Sequence, residues 1–208
     1  MAKLDDDKLP PPRIHPTALV EPDVRIGNGT SVWDSVHIRK GARIGRKCIV
    51  GEKTYIAYDV VIGDLVKLNA AVYVCAQVTI EDGVMIAAHT VFTNDRFPRA
   101  CDPDLNDLQS SDPNEETLWT RVGRGTTIGA NCTIGPGLEI GEFAMVGMGS
   151  VVTKSVPPHG LVLGNPARLV GLVCRCGEPV AKFGGQQPPA AGTFECHRCR
   201  RHVAWPGP

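Results

Sequence analysis

The 208-residue chain is short of aromatic residues: five Phe, three Tyr and three Trp make up 5% of it. Yet 42% of its residues are hydrophobic, so the apolar mass must be Val, Ile, Leu and Ala. Net charge is missing too, because 22 basic side chains balance 22 acidic ones. A neutral chain lacks the basic excess of a nucleic-acid binder and the acidic bias of a disordered tail. No apolar run approaches the roughly 18 residues that a membrane span needs. The opening MAKLDDDKLPPP is acidic where a secretory leader would be basic and has no apolar stretch behind it. The expected compartment is therefore cytoplasmic and reducing, with the eight Cys as thiols or metal ligands rather than disulfides.

What the chain has is a period of six. Stepping by six from Ile14 meets Val20, Ile26, Val32, Ile38 and so on to Phe92, and the stepping resumes from Val122 to Val152. Nineteen of these twenty leading positions are aliphatic. Four residues after each leader comes a second column of mostly small or β-branched residues, among them Ala42, Cys48, Thr54, Val60, Cys132 and Ser150. Positions four and six of a hexad are two apart, so on a strand they point to one side. Large and small inward columns together describe a narrow interior with no room for aromatics. Gly follows the leader in nine hexads, where a turn every six residues is expected to use its freedom at positive φ. Ile-Gly pairs at 26, 44 and 62 add a period of 18, or three hexads. Three short strands per coil explain both periods, giving about seven stacked coils.

The pattern from 14 to 171 resembles the left-handed parallel β-helix of the hexapeptide-repeat acyltransferases. That resemblance implies an all-β solenoid, a homotrimer, active sites between neighbouring prisms and acetyl-CoA lying along the prism. The repeat lapses over 98–121, a stretch rich in Asp, Asn, Ser and Pro that reads as an extruded loop. Long loops on rigid scaffolds usually carry function. The entry Phe92-Thr93-Asn94-Asp95-Arg96-Phe97-Pro98-Arg99, the acidic loop and the later Gly-Ala-Asn-Cys-Thr-Ile are similar to one branch of the family. That branch comprises N-acetyltransferases of nucleotide-linked amino sugars, of the UDP-2-acetamido-3-amino-2,3-dideoxy-glucuronate type.

On this reading His89 faces outward beside the loop as a candidate general base, since an imidazole titrating near neutrality suits deprotonation of an amine. Asn94 is expected to hydrogen-bond the acceptor amine. Arg96 breaks the small inward column, and a charge there cannot be buried unpaired, so the coil must open. Asp95, Arg96 and Arg99 are expected to bind substrate, the guanidiniums gripping a diphosphate or uronate carboxylate or else pairing with loop acids. Trp33 and His37, on a lower coil, line either the substrate cleft or an interface. Gly164-Asn165-Pro166-Ala167-Arg168 matches the family's motif after the last coil. The resemblance implies CoA binding there, by Lys154, Asn165, Pro166 and Arg168 with Gly147, and the same segment can cap the solenoid.

Composition shifts at the end of the repeat. Residues 172–208 hold Cys174-Arg175-Cys176-Gly177 and Cys196-His197-Arg198-Cys199, two close pairs that read as a structural four-cysteine zinc site in a ribbon-like tail. His197 or His202 could replace a cysteine. Residues 1–13 are expected to be flexible. The sequence thus points to an acetyl-CoA-dependent N-acetyltransferase. Acyl transfer to a hydroxyl or a non-sugar amine, and a non-catalytic trimeric scaffold, stay open beside it. A γ-type carbonic anhydrase is excluded by the wide spacing of His15, His37 and His89.

Overall fold

A computed structural model describes residues 8–110, 112–184 and 188–207. The first seven residues of the expected flexible N-terminus lie outside the described residues. Twenty strands of two or three residues, β1 (Arg13–Ile14) through β20 (Val151–Val152), wind a β-solenoid. Most pair in parallel with the strand one coil on, as in Arg13↔Ser31 and Ile14↔Val32, so the 18-residue period becomes one full coil. Three sheets result, of ten, seven and six strands, and the solenoid runs to about eight turns rather than seven. The extra rung is β21 (Gly160–Gly164), which pairs with the strand Met145–Val146 beyond the last hexad.

From Thr30 onward both inward columns are buried almost throughout, while the first coil leaves Ile14 exposed and Val20, Val24 and Ile26 half-buried. Ile38, Ile56, Ile86, Ile128 and Ile134 are fully enclosed, and so are the small partners Val36, Val60 and Cys132. Each enclosed aliphatic side chain contributes roughly 1.5–3 kcal/mol. The polar members of the small column are also buried and pair with backbone. Thr30, Thr90 and Thr126 donate their hydroxyls to the carbonyls of Gly45, Gly129 and Gly141 at 2.8, 2.9 and 2.8 Å. Cys48 and Cys132 make the equivalent thiol contacts to Gly63 and Gly147. A small hydroxyl or thiol thus fills the corner and donates to a carbonyl of the next coil.

The glycines serve a different purpose from the one the sequence suggested. Positive φ recurs three residues after most leaders, and it is held mostly by other residues, such as Lys47 (52°), Leu65 (60°), His89 (60°) and Asn131 (56°). The glycines directly after a leader are not left-handed; they are there because the next coil is too close. A Cβ on Gly45 would lie 2.5 Å from the Gly63 carbonyl carbon and oxygen. Gly45→Ala should therefore cost about 1–3 kcal/mol or more through overpacking against backbone that cannot yield. Gly149 is left-handed with open space around it, so Gly149→Ala should cost only about 1–2 kcal/mol. Urea midpoints of the two variants check this; equal losses would remove close approach as the cause.

Past the last coil, β21 turns into the antiparallel β22 (Ala167–Val173), which pairs with β23 (Pro179–Lys182) and so extends the ten-stranded sheet. The sheet thus runs unbroken through the domain boundary expected at residue 171. A separate hairpin, β24 (Gly192–Glu195) with β25 (His202–Trp205), completes the C-terminal module. Among the described residues no helix is long and apolar enough to cross a membrane.

Candidate functional site

The extruded loop leaves the seven-stranded sheet after Phe92 and re-enters the six-stranded sheet at Thr120. The re-entry register is Val78↔Thr120, so Thr120 occupies the inward slot that the hexad count assigns to residue 96. Arg96 is therefore exposed rather than buried. The insertion begins and ends a few residues earlier than 98–121, with its neck pinned where the Leu118 N–H donates to the Asn94 carbonyl at 3.0 Å. Trp119, just outside the neck, rests its indole N–H on Thr79 Oγ1 at 3.2 Å.

Between the loop and the rim of the solenoid lies a cavity of about 790 Å³. The loop side supplies Asn94, Asp95, Arg96 and Arg99, four of the residues expected to meet substrate. The solenoid side supplies Tyr55, Tyr58, Tyr73 and Cys75. Asn94's backbone is fixed at the neck, which leaves its amide side chain as the group that can address a ligand. Neither Arg96 nor Arg99 makes an ion pair among the described residues; Arg99 only donates to the neighbouring Pro98 carbonyl. The alternative in which both are spent on loop acids is thus not what the loop adopts. Two unpaired guanidiniums beside one carboxylate and one amide suit an anionic ligand that also carries a hydrogen-bond donor. Burial pushes the Cys75 thiol up to about 12, with the nearby Asp95 charge adding to the effect. The thiolate of Cys75 is therefore disfavoured near neutrality.

Tyr55 and Tyr73 were not singled out in the sequence, although their 18-residue spacing places them in one outward row. Their rings stack at 5.0 Å, 9° from parallel, and His37 meets Tyr55 edge-on at 5.4 Å. Below them Glu21 binds His37 at 3.0 Å and the Lys40 N–H at 2.9 Å. The Lys40 N–H first, then His37 and Arg39, hold the Glu21 carboxyl below its ordinary range against the desolvation that raises it. Arg39 lies over Tyr58 at 4.1 Å and donates to the Tyr55 hydroxyl at 2.9 Å. His37 thus reaches the cavity through Tyr55 and does not itself line it.

The remaining expected residues lie elsewhere. His89 is at a left-handed corner and is not among the cavity-lining residues. Trp33 is half-exposed under Arg13, 5.0 Å from its ring. Asn165 and Pro166 form the turn between β21 and β22, joined by a cis peptide bond, with Arg168 exposed beside it. Lys154 is exposed just after β20. Gly147 is taken up by packing, since Leu163 covers the place a Cβ would occupy. Its carbonyl accepts from Ser150 Oγ at 2.6 Å, and Ser150 Oγ in turn accepts the Gly164 N–H at 3.2 Å.

Far from the cavity, Cys174, Cys176, Cys196 and Cys199 converge so that all four sulfurs lie within 4.8 Å of one another. His197 points to Glu178 at 3.4 Å and does not join them.

A family model described as bacterial transferase hexapeptide (six repeats) matches residues 23–58 and 120–154, on either side of the loop. The chain is 56% identical over 57 residues to a dTDP-3-amino-3,6-dideoxy-alpha-D-galactopyranose 3-N-acetyltransferase of Aneurinibacillus thermoaerophilus, covering 27% of this chain and 30% of that protein. It is 36% identical over 118 residues to a putative acetyltransferase of Staphylococcus aureus, covering 55% of this chain and 59% of that protein. Among solved structures it resembles a mutant of GDP-perosamine N-acetyl transferase from Caulobacter crescentus in complex with CoA and GDP-perosamine. That likeness has a TM-score of 0.52 at 24% identity and covers 78% of this chain and 58% of the other. The chain thus spans between about a third and three fifths of these relatives. Repeats, solenoid and relatives agree: two segments of the chain match the hexapeptide-repeat transferase model, and the chain is similar to acetyltransferases built on that repeat.

Proposed function

We propose that the chain is an acetyl-CoA-dependent N-acetyltransferase acting on the amino group of a nucleotide-linked amino sugar. The observation that carries this reading is the cavity under the extruded loop, lined by Asn94, Asp95 and two arginines that make no ion pair among the described residues. A nucleotide sugar offers a diphosphate to the guanidiniums and an amine to Asn94 and Asp95. A uronate carboxylate would give the second arginine its own partner, which favours the UDP-3-amino-uronate type. The relative of 56% identity, named for a dTDP-linked 3-amino sugar, supports the same substrate class.

In the reaction the neutral amine attacks the thioester carbonyl. The new N–C bond forms as the C–S bond breaks. The amine's proton passes to a base, and CoA leaves as a thiolate that takes up a proton. Transfer is direct, with no acyl-enzyme between the two substrates. The Asn165–Arg168 turn and Lys154 are assigned to the CoA end, and the four clustered cysteines to one zinc ion.

Within one chain His89 does not meet the cavity, so its role as general base requires a neighbouring copy to bring it there. A homotrimer fits the apolar side chains exposed around the loop, Phe97, Leu105, Leu108 and Trp119, together with Met148. Light scattering should give three times the 22.3 kDa chain mass. A 22.3 kDa species would remove both the trimer and the His89 assignment.

The function is tested by incubating the protein with acetyl-CoA and a panel of UDP-, dTDP- and GDP-linked amino sugars while following free thiol release. Release with a 3-amino sugar nucleotide is expected. Release only with hydroxyl acceptors would move the activity to O-acylation, and none with any acceptor would leave a scaffold.

A further inference from the structure

The C-terminal module brings four cysteines together outside the residues that line the cavity. The two cysteine pairs have different spacings, CxC and CxxC, yet the backbone makes the same knuckle of both. In each, the residue after the second cysteine is left-handed: Gly177 at φ 86° and Arg200 at φ 62°. In each, that residue's N–H donates back to the carbonyl of the first cysteine at 2.8 Å, Gly177 to Cys174 and Arg200 to Cys196. A further bond closes each turn at 2.8 Å, from the Cys174 N–H to the Glu178 carbonyl and from the Cys196 N–H to the Arg201 carbonyl. The missing residue of the first knuckle therefore does not weaken it.

The sulfurs interleave across the knuckles, with Cys174–Cys199 at 3.5 Å and Cys176–Cys196 at 3.6 Å. A tetrahedral zinc tetrathiolate with bonds of about 2.3 Å has edges of about 3.8 Å. These separations are far above the roughly 2.05 Å of a disulfide. Four thiolates complete the shell and leave no position open to substrate.

The two knuckles sit on unequal supports. The first follows β22 directly and is fixed to the solenoid. There the Val173 N–H donates to the His159 carbonyl at 2.8 Å, and Arg175 lies over the Phe143 ring at 4.6 Å. The second sits on the hairpin β24–β25, and a lone two-stranded hairpin is marginal in water. Apart from the sulfurs, the hairpin is held to the sheet by a small apolar cluster of Leu172, Phe183 and Trp205 with Phe194, by Val203 against Val180, and by the exposed His197–Glu178 contact.

We infer that the zinc ion is the lock that fastens hairpin β24–β25 onto the end of the solenoid, so that metal removal releases the hairpin while the solenoid stays folded. This rests on reading the four cysteines as a zinc site. Trp205 supplies the signal, because it is 3% exposed while Trp33 and Trp119 are 43% and 60% exposed. Elemental analysis of the purified full-length protein should give one zinc per chain. Cobalt substitution should give the visible bands of a tetrahedral tetrathiolate, lost in Cys176→Ser. Stripping the zinc with a chelator should shift tryptophan emission to the red and speed proteolysis within hairpin β24–β25 by about tenfold or more. The solenoid's thermal transition should hold, and zinc should reverse the shift. Trp205→Phe should abolish the emission change.

Zinc bound at one per chain with emission unmoved on its removal would overturn the lock and leave the metal site standing. Two disulfides, iron in place of zinc, or no metal at all would overturn the zinc site and the lock with it.

Discussion

Asn94→Ala should lower kcat/KM for acetyl transfer by about 10²-fold or more, with folding intact. Asn94 is the residue at which the chain departs from the solenoid, and its carbonyl is already occupied by Leu118 at the neck. Its backbone is thereby positioned by the scaffold rather than by the outer part of the loop. The free amide can then hold the acceptor amine at the cavity rim, where misplacement by about 1 Å costs a factor of that order. The loss should fall on kcat as well as KM, because the orientation matters when the N–C bond forms. Arg96→Ala and Arg99→Ala should act differently. On the proposed binding mode each would remove a charged contact to the unreacting part of the substrate, so KM should rise with a smaller change in kcat. Steady-state kinetics with acetyl-CoA saturating separates the two patterns. An Asn94→Ala enzyme with unchanged kcat/KM would move the acceptor amine out of this cavity.

The solenoid was legible because its information is periodic. One aliphatic leader every six residues, a small residue four later and an 18-residue coil define strand positions, inward faces and neighbours together. Even the ladder of Tyr55 over Tyr73 follows from their separation. Two things were not written in the period. The glycines were visible, but sequence does not distinguish a residue needed for positive φ from one needed because the next coil lies 2.5 Å from its absent Cβ. The path of the loop was also hidden. That Thr120 takes the slot counted for residue 96 depends on where the insertion closes, and this decides that Arg96 faces the cavity. His89 shows the same limit. Its corner position follows from the hexad, but its absence from the cavity wall depends on a loop that has no period.

Phe92→Ala should cost about 3–5 kcal/mol, the largest single loss expected in the solenoid. Phe92 is the one aromatic leader, it is 1% exposed, and it is the largest of the fully enclosed side chains. It stands where the chain leaves the coil, so no residue of its own hexad follows it into the small column; Thr120 is borrowed from beyond the loop to fill that slot. A large side chain is suited to this interrupted corner, and truncating it leaves a void between two coils held by backbone bonds. The neighbouring Thr93 N–H, which donates to the Ile134 carbonyl at 3.0 Å, and the neck bond at Asn94 both depend on that coil keeping its position. Phe92→Leu keeps most of the volume and should cost less than about 1.5 kcal/mol. Urea denaturation gives the two values. Activity measured below the transition should fall in Phe92→Ala further than the unfolded fraction explains, because the neck that places Asn94 loosens first. An alanine variant as stable as Phe92→Leu would show that the coil closes over the gap, and the aromatic leader would then have no part in holding the loop.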